Sequence, residues 1–538
     1  MKRLVPVLTD MRLVPALADM KRLVPVLLVA VAALALASPA AARPFPKRFL
    51  WGTASSGFQT EAGGRPAHVD RRSDWYQFAT DPGLIAAGAV SGDRLADGPG
   101  FLNAWRGDLN RARRDLGGNA IRLGIEWSRI FPRSTAKVET GRHVSIAELR
   151  RLDALADRSA VRRYRRILAG ARERGLRVML TLNHFTLPIW VDDPARVRAA
   201  FSGRGPDERV PAGLRRAGWL NRSTIAEFRK FAAYAAWKLG GRVGLWATLN
   251  EPLVTVSQGF VSIPGVTGVK APGVLSYAAA LRVIENLGLA NAAAYDAIHA
   301  HDRHARVGVV HNMVDWRPYD PASAADSVAA GHADQILNRA FLEIVVNGWY
   351  DSDIDGVEDP GEARPKLRDK ADFIGVNHYS PGRAQALGAP VSSRIPLFDF
   401  VPHVTYAGHG NPGGEPCPTV CSDFGWEIDP AGLRHVLDEA AAYGKPLYVT
   451  ENGIDDGEDD QRRGYLRGYL GALRGAIAAG DDVRGYFYWS LVDNFEWAEG
   501  YAPRFGLYSY DPGSLRRTLR PSAGLLRRVA RSGRIPGG

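Results

Sequence analysis

The sequence predicts an α/β fold, a single (β/α)8 barrel (TIM barrel), on three observations. Eight short β-branched or apolar runs recur with helical patterns between them, no linker or second core divides the chain after residue 42, and polar side chains stand at the ends of those runs. Strands covered on both faces read as continuous apolar runs, and one core built from alternating strands and helices closes most simply into a barrel. The chain of 538 residues is long for one domain, but such barrels pass about 400 residues when loops are enlarged.

The runs fall at 49–54, 120–125, 177–182, 243–249, 306–310, 372–376, 446–450 and 484–489. The helical pattern before the fourth is the clearest: Thr224 and Glu227 have the spacing of a capping box, and Ile225, Phe228, Phe231, Ala232, Ala235 and Leu239 line one face. Polar residues follow the runs: Glu126, Asn183 and His184, Asn250 and Glu251, Asn377 and Tyr379, Glu451 and Asn452, and Trp489. A buried charge without a partner is costly, so convergence on one pocket at the C-terminal strand ends explains them together. Glu126 reads as a surface or helix-start acid and stays outside the predicted site.

Glu251 and Glu451 end the fourth and seventh runs, which places them across the barrel mouth. Two facing carboxyl groups suit glycoside cleavage with retention, in which one attacks the anomeric carbon while the other protonates the leaving group and later activates water.

The outer parts of the chain speak to compartment and partners. Residues 1–27 repeat one phrase three times, opening on Met1, Met11 and Met20; only the third continues through Lys21 and Arg22 into an apolar stretch and the small residues before Ala42. The expectation is a leader over 1–42 with Met20 the true start, cleavage after Ala42, export, no stable membrane insertion afterwards, and a catalytic barrel over 43–538. Cys417 and Cys421, the two cysteines, read as a small disulfide loop in an oxidising compartment. The net charge of +12 concentrates in a basic C-terminal tail carrying Arg516, Arg517, Arg520, Arg527, Arg528, Arg531 and Arg534. That run reads as a solvated helix face, with attraction to an anionic polymer as the alternative; no aromatic interleaving points to nucleic acid. His299, His301 and His304 end an Ala-rich helical pattern, where histidines suit the helix dipole. No metal or cofactor is expected, because no phosphate-cradling glycine loop, H-E-x-x-H or serine elbow occurs.

Seven ordered segments resemble glycoside hydrolase family 1 over 49–522: FLWGTASSGFQTE, IEWSRIFP, TLNHFTLPIW, TLNEP, DFIGVNHYS, TENG and YFYWSLVDNFEWAEGYAPRFGL. The stretch from SDWYQFATDP through SGDRLADGPG, with IEWSRIFP, resembles in particular the archaeal-type branch of broad-specificity β-glycosidases. The resemblance implies Glu251 in TLNEP as acid/base and Glu451 in TENG as nucleophile, supported by Arg122, Tyr379 and Asn377. It implies Gln59, His184, Asn250, Glu496 and Trp497 around the nonreducing sugar, Trp489 as its stacking floor, Trp426 toward the aglycone, and Phe505 in the substrate site as wall or contact. The implied partner is a small-molecule β-glycoside or oligosaccharide; oligomeric state is not implied.

Two departures bear on substrate choice: His378 stands where the family carries a tyrosine, and Phe185-Thr186 where tryptophan-aspartate is common. Both are expected near the sugar pocket. The implied function is a retaining β-glucosidase acting also on β-galactosides or β-fucosides. A transglycosidase would use the same residues with an alcohol or glycolipid acceptor, and a sugar-binding protein that has lost catalysis is the third reading. Trp497 argues against a phosphoglycosidase, and Glu251 against a thioglucosidase.

Overall fold

The structure, a computed structural model, describes residues 44–263 and 268–536; the leader expected over 1–42 lies outside them. All eight expected runs are strands, ending within two residues of expectation: β1 Leu50–Ala54, β2 Ala120–Gly124, β3 Arg177–Asn183, β4 Leu245–Asn250, β5 Val307–Asn312, β6 Phe373–Asn377, β7 Leu447–Asn452 and β8 Val483–Trp489. They form one sheet in the order β1-β8-β7-β6-β5-β4-β3-β2, and every pairing is parallel. The seam between β1 and β2 closes without a regular ladder. There Asn119 N donates to Trp51 O at 2.9 Å, Ser55 N donates to Arg122 O at 3.1 Å, and Asn119 Oδ1 accepts from Trp51 N at 2.7 Å.

Period two along a strand explains how the barrel is filled and where its chemistry begins. Ala120, Met179, Phe373 and Phe487 belong to one buried cluster with Leu50, Leu245 and Tyr448. Two residues further along the first four of these strands stand Arg122, Thr181, Gly375 and Trp489. The two strands that carry the glutamates break this regularity. The β4–β5 register slips between Ala247 and Asn250, and the β6–β7 register slips between Val449 and Glu451. An extra residue in a strand turns its following side chains; on β7 it lets Thr450 and Glu451, chain neighbours, both meet mouth residues.

The helix over Ser223–Leu239 forms as its periodicity predicts, burying Phe228, Phe231, Ala232, Ala235 and Leu239, but the capping box does not form. Thr224 Oγ1 donates to Gly218 O at 2.6 Å, and Glu227 bonds Thr135 and Lys230 instead. The helix starts at Ser223, so Thr224 is inside its first turn and another acceptor captures its hydroxyl. The basic tail divides: Arg516, Arg527, Arg528, Arg531 and Arg534 are exposed, as a solvated face requires, and Arg517 and Arg520 are not. Its helix, Ala523–Ser532, buries Leu525, Leu526 and Val529, while Arg517 and Arg520 are buried against Asp108 and Asp493. Among the described residues no helix is long and apolar enough to cross a membrane.

Candidate active site

Arg122, fully buried on β2, organises the barrel mouth by bonding three other strands at once. Its Nε donates to Thr181 Oγ1 on β3 at 3.1 Å and its Nη2 to Asn250 Oδ1 on β4 at 2.6 Å. On β7 its Nη1 donates to Thr450 O at 3.4 Å and ion-pairs with Glu451 Oε1. The second oxygen of Glu451 accepts from the Tyr379 hydroxyl at 2.6 Å. That hydroxyl is held well above its ordinary pKa by burial and then by the charges of Glu451 and Glu251, so it remains a donor.

Glu251 is held differently. It follows β4 directly, with φ 48°, and Pro252 begins the next helix, Pro252–Phe260. A left-handed conformation costs a residue with a Cβ roughly 1–3 kcal/mol and persists where its surroundings enforce it. Its amide donates to Val310 O at 2.8 Å, and its Oε1 accepts from Asn377 Nδ2 at 2.7 Å. Burial, then the negative charge of Glu451, push its carboxyl up to about 7; Asn377, Lys270 and Arg122 act in the opposite sense. Asn377 was expected to support the nucleophile and instead touches the other glutamate. Its Oδ1 accepts from Thr450 Oγ1 at 2.7 Å, which turns the amide nitrogen toward Glu251 and Asn250.

The remaining predicted residues assemble on two sides. Glu496 is the hub of one: its Oε1 accepts from Trp489 Nε1 at 3.1 Å and its Oε2 from Gln59 Nε2 at 3.2 Å. Burial raises the Glu496 carboxyl to about 8 against the Trp489 bond. His184 stacks between Trp489 and Trp497, with ring centroids 5.8 Å and 6.0 Å away and interplanar angles of 18° and 15°. Burial, then the charges of Arg122 and Lys270, hold the imidazole well below its ordinary pKa, so it is neutral. Asn250 Nδ2 lies 3.3 Å from His184 Nε2. With Nε2 accepting, Nδ1 carries the hydrogen, and it is buried with no hydrogen-bond partner among the described residues. On the other side Trp426 packs against Tyr379, Phe424 and Phe505, with centroids 5.0, 4.2 and 5.8 Å apart, and anchors its indole on Thr405 Oγ1.

Two residues in this neighbourhood escaped sequence reasoning. Lys270 is buried with its Nζ 4.1 Å from the Phe185 ring centroid and 4.7 Å from that of Trp497. Burial lowers it to about 8 against the pull of Glu251, Glu499 and Glu496. Nothing in the loop around it, with glycine and proline close by, signals burial. The second is Glu126, which the sequence suggests is a surface or helix-start acid. It does precede the helix Trp127–Ile130, without capping it, but it is buried between the loops that follow β1 and β3.

The two departures divide. Thr186 bonds Glu126 at 2.7 Å and Phe185 stands edge-on to Trp497, both beside the site. His378, expected at the pocket, faces the helix layer. Its Nδ1 lies 2.9 Å from Met313 O, and a Cβ at Gly432 on the helix Pro430–Ala441 would touch its Nε2 at 3.0 Å. The histidines near 300 do not converge either: His299 bonds Asp372 and His301 the carbonyl of Val144. On the loop leading into β6, Asp351, Asp353 and Asp355 bring one oxygen each within 4.8 Å of one another. Their D-x-D-x-D-G spacing is that of a calcium loop, but Glu362, at the twelfth position, is engaged by Trp349 Nε1 and the amides of Ser352 and Asp359.

Two buried carboxyl groups at the ends of strands three apart, one ion-paired and the other raised to about 7 so that it both holds and releases a proton near neutrality, inside a ring of amides and indoles, define a retaining β-glycosidase. Residues 41–195 and 209–534 match the model of glycosyl hydrolase family 1, and the chain belongs to that family. It is 36% identical to a β-galactosidase of Pyrococcus woesei over 86% of this chain and 92% of that one. A β-glucosidase of an Agrobacterium species is 31% identical over 89% and 93%. Among solved structures, the β-glycosidase of Thermosphaera aggregans superposes with a TM-score of 0.79 at 35% identity, covering 92% of this chain and 98% of that one.

Proposed function

We propose that the protein hydrolyses terminal β-D-glucosides and β-D-galactosides with retention, Glu451 acting as nucleophile and Glu251 as acid/base. One observation carries the assignment: the Glu451 carboxylate accepts from an arginine and a tyrosine, whereas Glu251 has one amide donor and a carboxyl raised to about 7 by burial and by Glu451. In the first step Glu451 attacks the anomeric carbon as Glu251 delivers its proton to the departing oxygen. Once Glu451 is an ester its charge is gone, the upward push on Glu251 weakens, and Glu251 can take the proton of the attacking water. Arg122 and Tyr379 keep the attacking oxygen aimed and receive the carboxylate again when the ester breaks.

The nonreducing sugar would lie over Trp489, with Glu496, Gln59, Asn250 and the buried Nδ1–H of His184 meeting its hydroxyls, Trp497 alongside, and Trp426 with Phe505 toward the aglycone. The dual sugar preference rests on the relatives, one a β-galactosidase and another a β-glucosidase. Nitrophenyl β-glucoside, β-galactoside and β-fucoside, with and without an acceptor alcohol, test the reading. Turnover of the first two with free sugar as the main product supports it, and glycosylated alcohol as the main product makes the protein a transglycosidase. Export through a leader ending at Ala42 belongs to the same proposal, as does a disulfide between Cys417 and Cys421, whose Cα atoms lie 6.0 Å apart. Trp426, which donates its amide to Ser422 Oγ, lies beside that loop.

A further inference from the structure

Glu126 is a buried acid next to the site that the mechanism leaves unused. Its Oε1 accepts from the amide of Phe58, the residue before Gln59, at 2.8 Å. Its Oε2 meets Thr186 Oγ1, two residues after His184, at 2.7 Å. The fit is close: a Cβ at Gly57 would overlap Oε1. Its own amide donates to the Tyr164 hydroxyl at 3.1 Å, which in turn donates to Glu61 Oε1 at 2.8 Å. Glu61 and Asp70 face Arg129, and Asp70 accepts from Ser128. That guanidinium is therefore committed to two other acids.

We infer that Glu126 is a positioning residue of the sugar site, one side chain that fastens the short helix Gly57–Glu61, which carries Gln59, to the loop carrying His184. The two segments follow β1 and β3, which are not neighbours in the sheet; main-chain bonds join them further out, where Ser73 bridges Pro188, and next to Gln59 and His184 the link is the Glu126 side chain. Gln59 reaches Glu496 and His184 reaches Asn250, so the clip fixes two of the polar contacts proposed for the nonreducing sugar. Burial, then the charge of Glu61, raise the Glu126 carboxyl to about 8, so near neutrality the group in place is largely a carboxylic acid. Glutamine has nearly the same shape: its oxygen can accept from Phe58 N and its amide can donate to Thr186 Oγ1.

The inference rests on Gln59 and His184 binding the sugar, so the experiment includes Gln59→Ala and His184→Ala as references. With nitrophenyl β-glucoside, Glu126→Ala should raise KM about tenfold or more while kcat falls less than about threefold, the pattern of lost uniform binding. Glu126→Gln should recover most of that loss. Thr186→Val, which cuts one of the two fastenings, should raise KM by a smaller factor and carries the test if Glu126→Ala does not fold. KM unchanged in Glu126→Ala and Thr186→Val, with only thermal stability lowered, would overturn the inference, as would a Gln variant as impaired as the Ala variant. If neither reference variant raises KM, the sugar-site reading falls and takes this inference with it; if the references do and Glu126→Ala and Thr186→Val do not, the inference alone falls.

Discussion

The two sides of the mouth hold the same chemical group in opposite ways. Glu451 sits on a bulged strand and accepts from a guanidinium and a phenol. Glu251 sits just past another bulged strand, in a left-handed conformation, with one amide donor and a raised carboxyl. The difference teaches that identity of residue does not set role; the donors around each carboxyl do. Charged donors favour an attacking carboxylate, while burial beside a negative charge keeps a proton available.

Removing either carboxyl is the largest disturbance of that comparison. Glu451→Ala should lower turnover of every aryl glycoside by about 10⁴-fold or more, because no glycosyl-enzyme can form. Glu251→Ala should keep a fast first step on nitrophenyl substrates, whose leaving group needs little protonation, and show a burst followed by slow turnover. Equal losses on good and poor leaving groups in Glu251→Ala would break the assignment. Tyr379→Phe should cost kcat about 10- to 100-fold, since one hydrogen bond to a charged group is worth about 1.5–3 kcal/mol.

A smaller effect separates the two sides by pH. Glu251 must be protonated to act first, and its raised carboxyl loses that proton as pH rises through about 7, so kcat/KM should fall above it. The Asn377 amide favours the ionised form, so Asn377→Ala should raise the Glu251 pKa and move that limb to higher pH. A limb that stays in place in Asn377→Ala would return Asn377 to the nucleophile. The smallest effect lies at the rim: the loop between Cys417 and Cys421 is short, so reduction should cost about 2 kcal/mol or less of stability. Mass analysis without reductant should find no free thiol in exported protein.

The strands were legible in the sequence because parallel barrel strands are covered on both faces and leave continuous apolar runs; Glu251, Glu451 and Trp489 followed because chemistry stands at strand ends. What escaped depended on packing. Thr224 and Glu227 have capping spacing, but Gly218 O, Thr135 and Lys230 offer closer partners. Asn377 serves Glu251 because Thr450 takes its oxygen. Lys270 and Glu126 are charged residues on loops, where neither periodicity nor composition signals burial. His378 turns outward because the ring of Tyr379, its chain neighbour, points in.

The central claim is the division of roles between the two glutamates, and the anomeric configuration of the azide product tests it most directly. Azide added to Glu251→Ala should attack the glycosyl-enzyme from the face that water uses and give the β-glycosyl azide. In Glu451→Ala azide should enter the space of the lost carboxylate, attack the substrate directly and give the α-azide. The two configurations exchanged between the variants would contradict the assignment, and an inverted sugar from the wild type would contradict the mechanism itself.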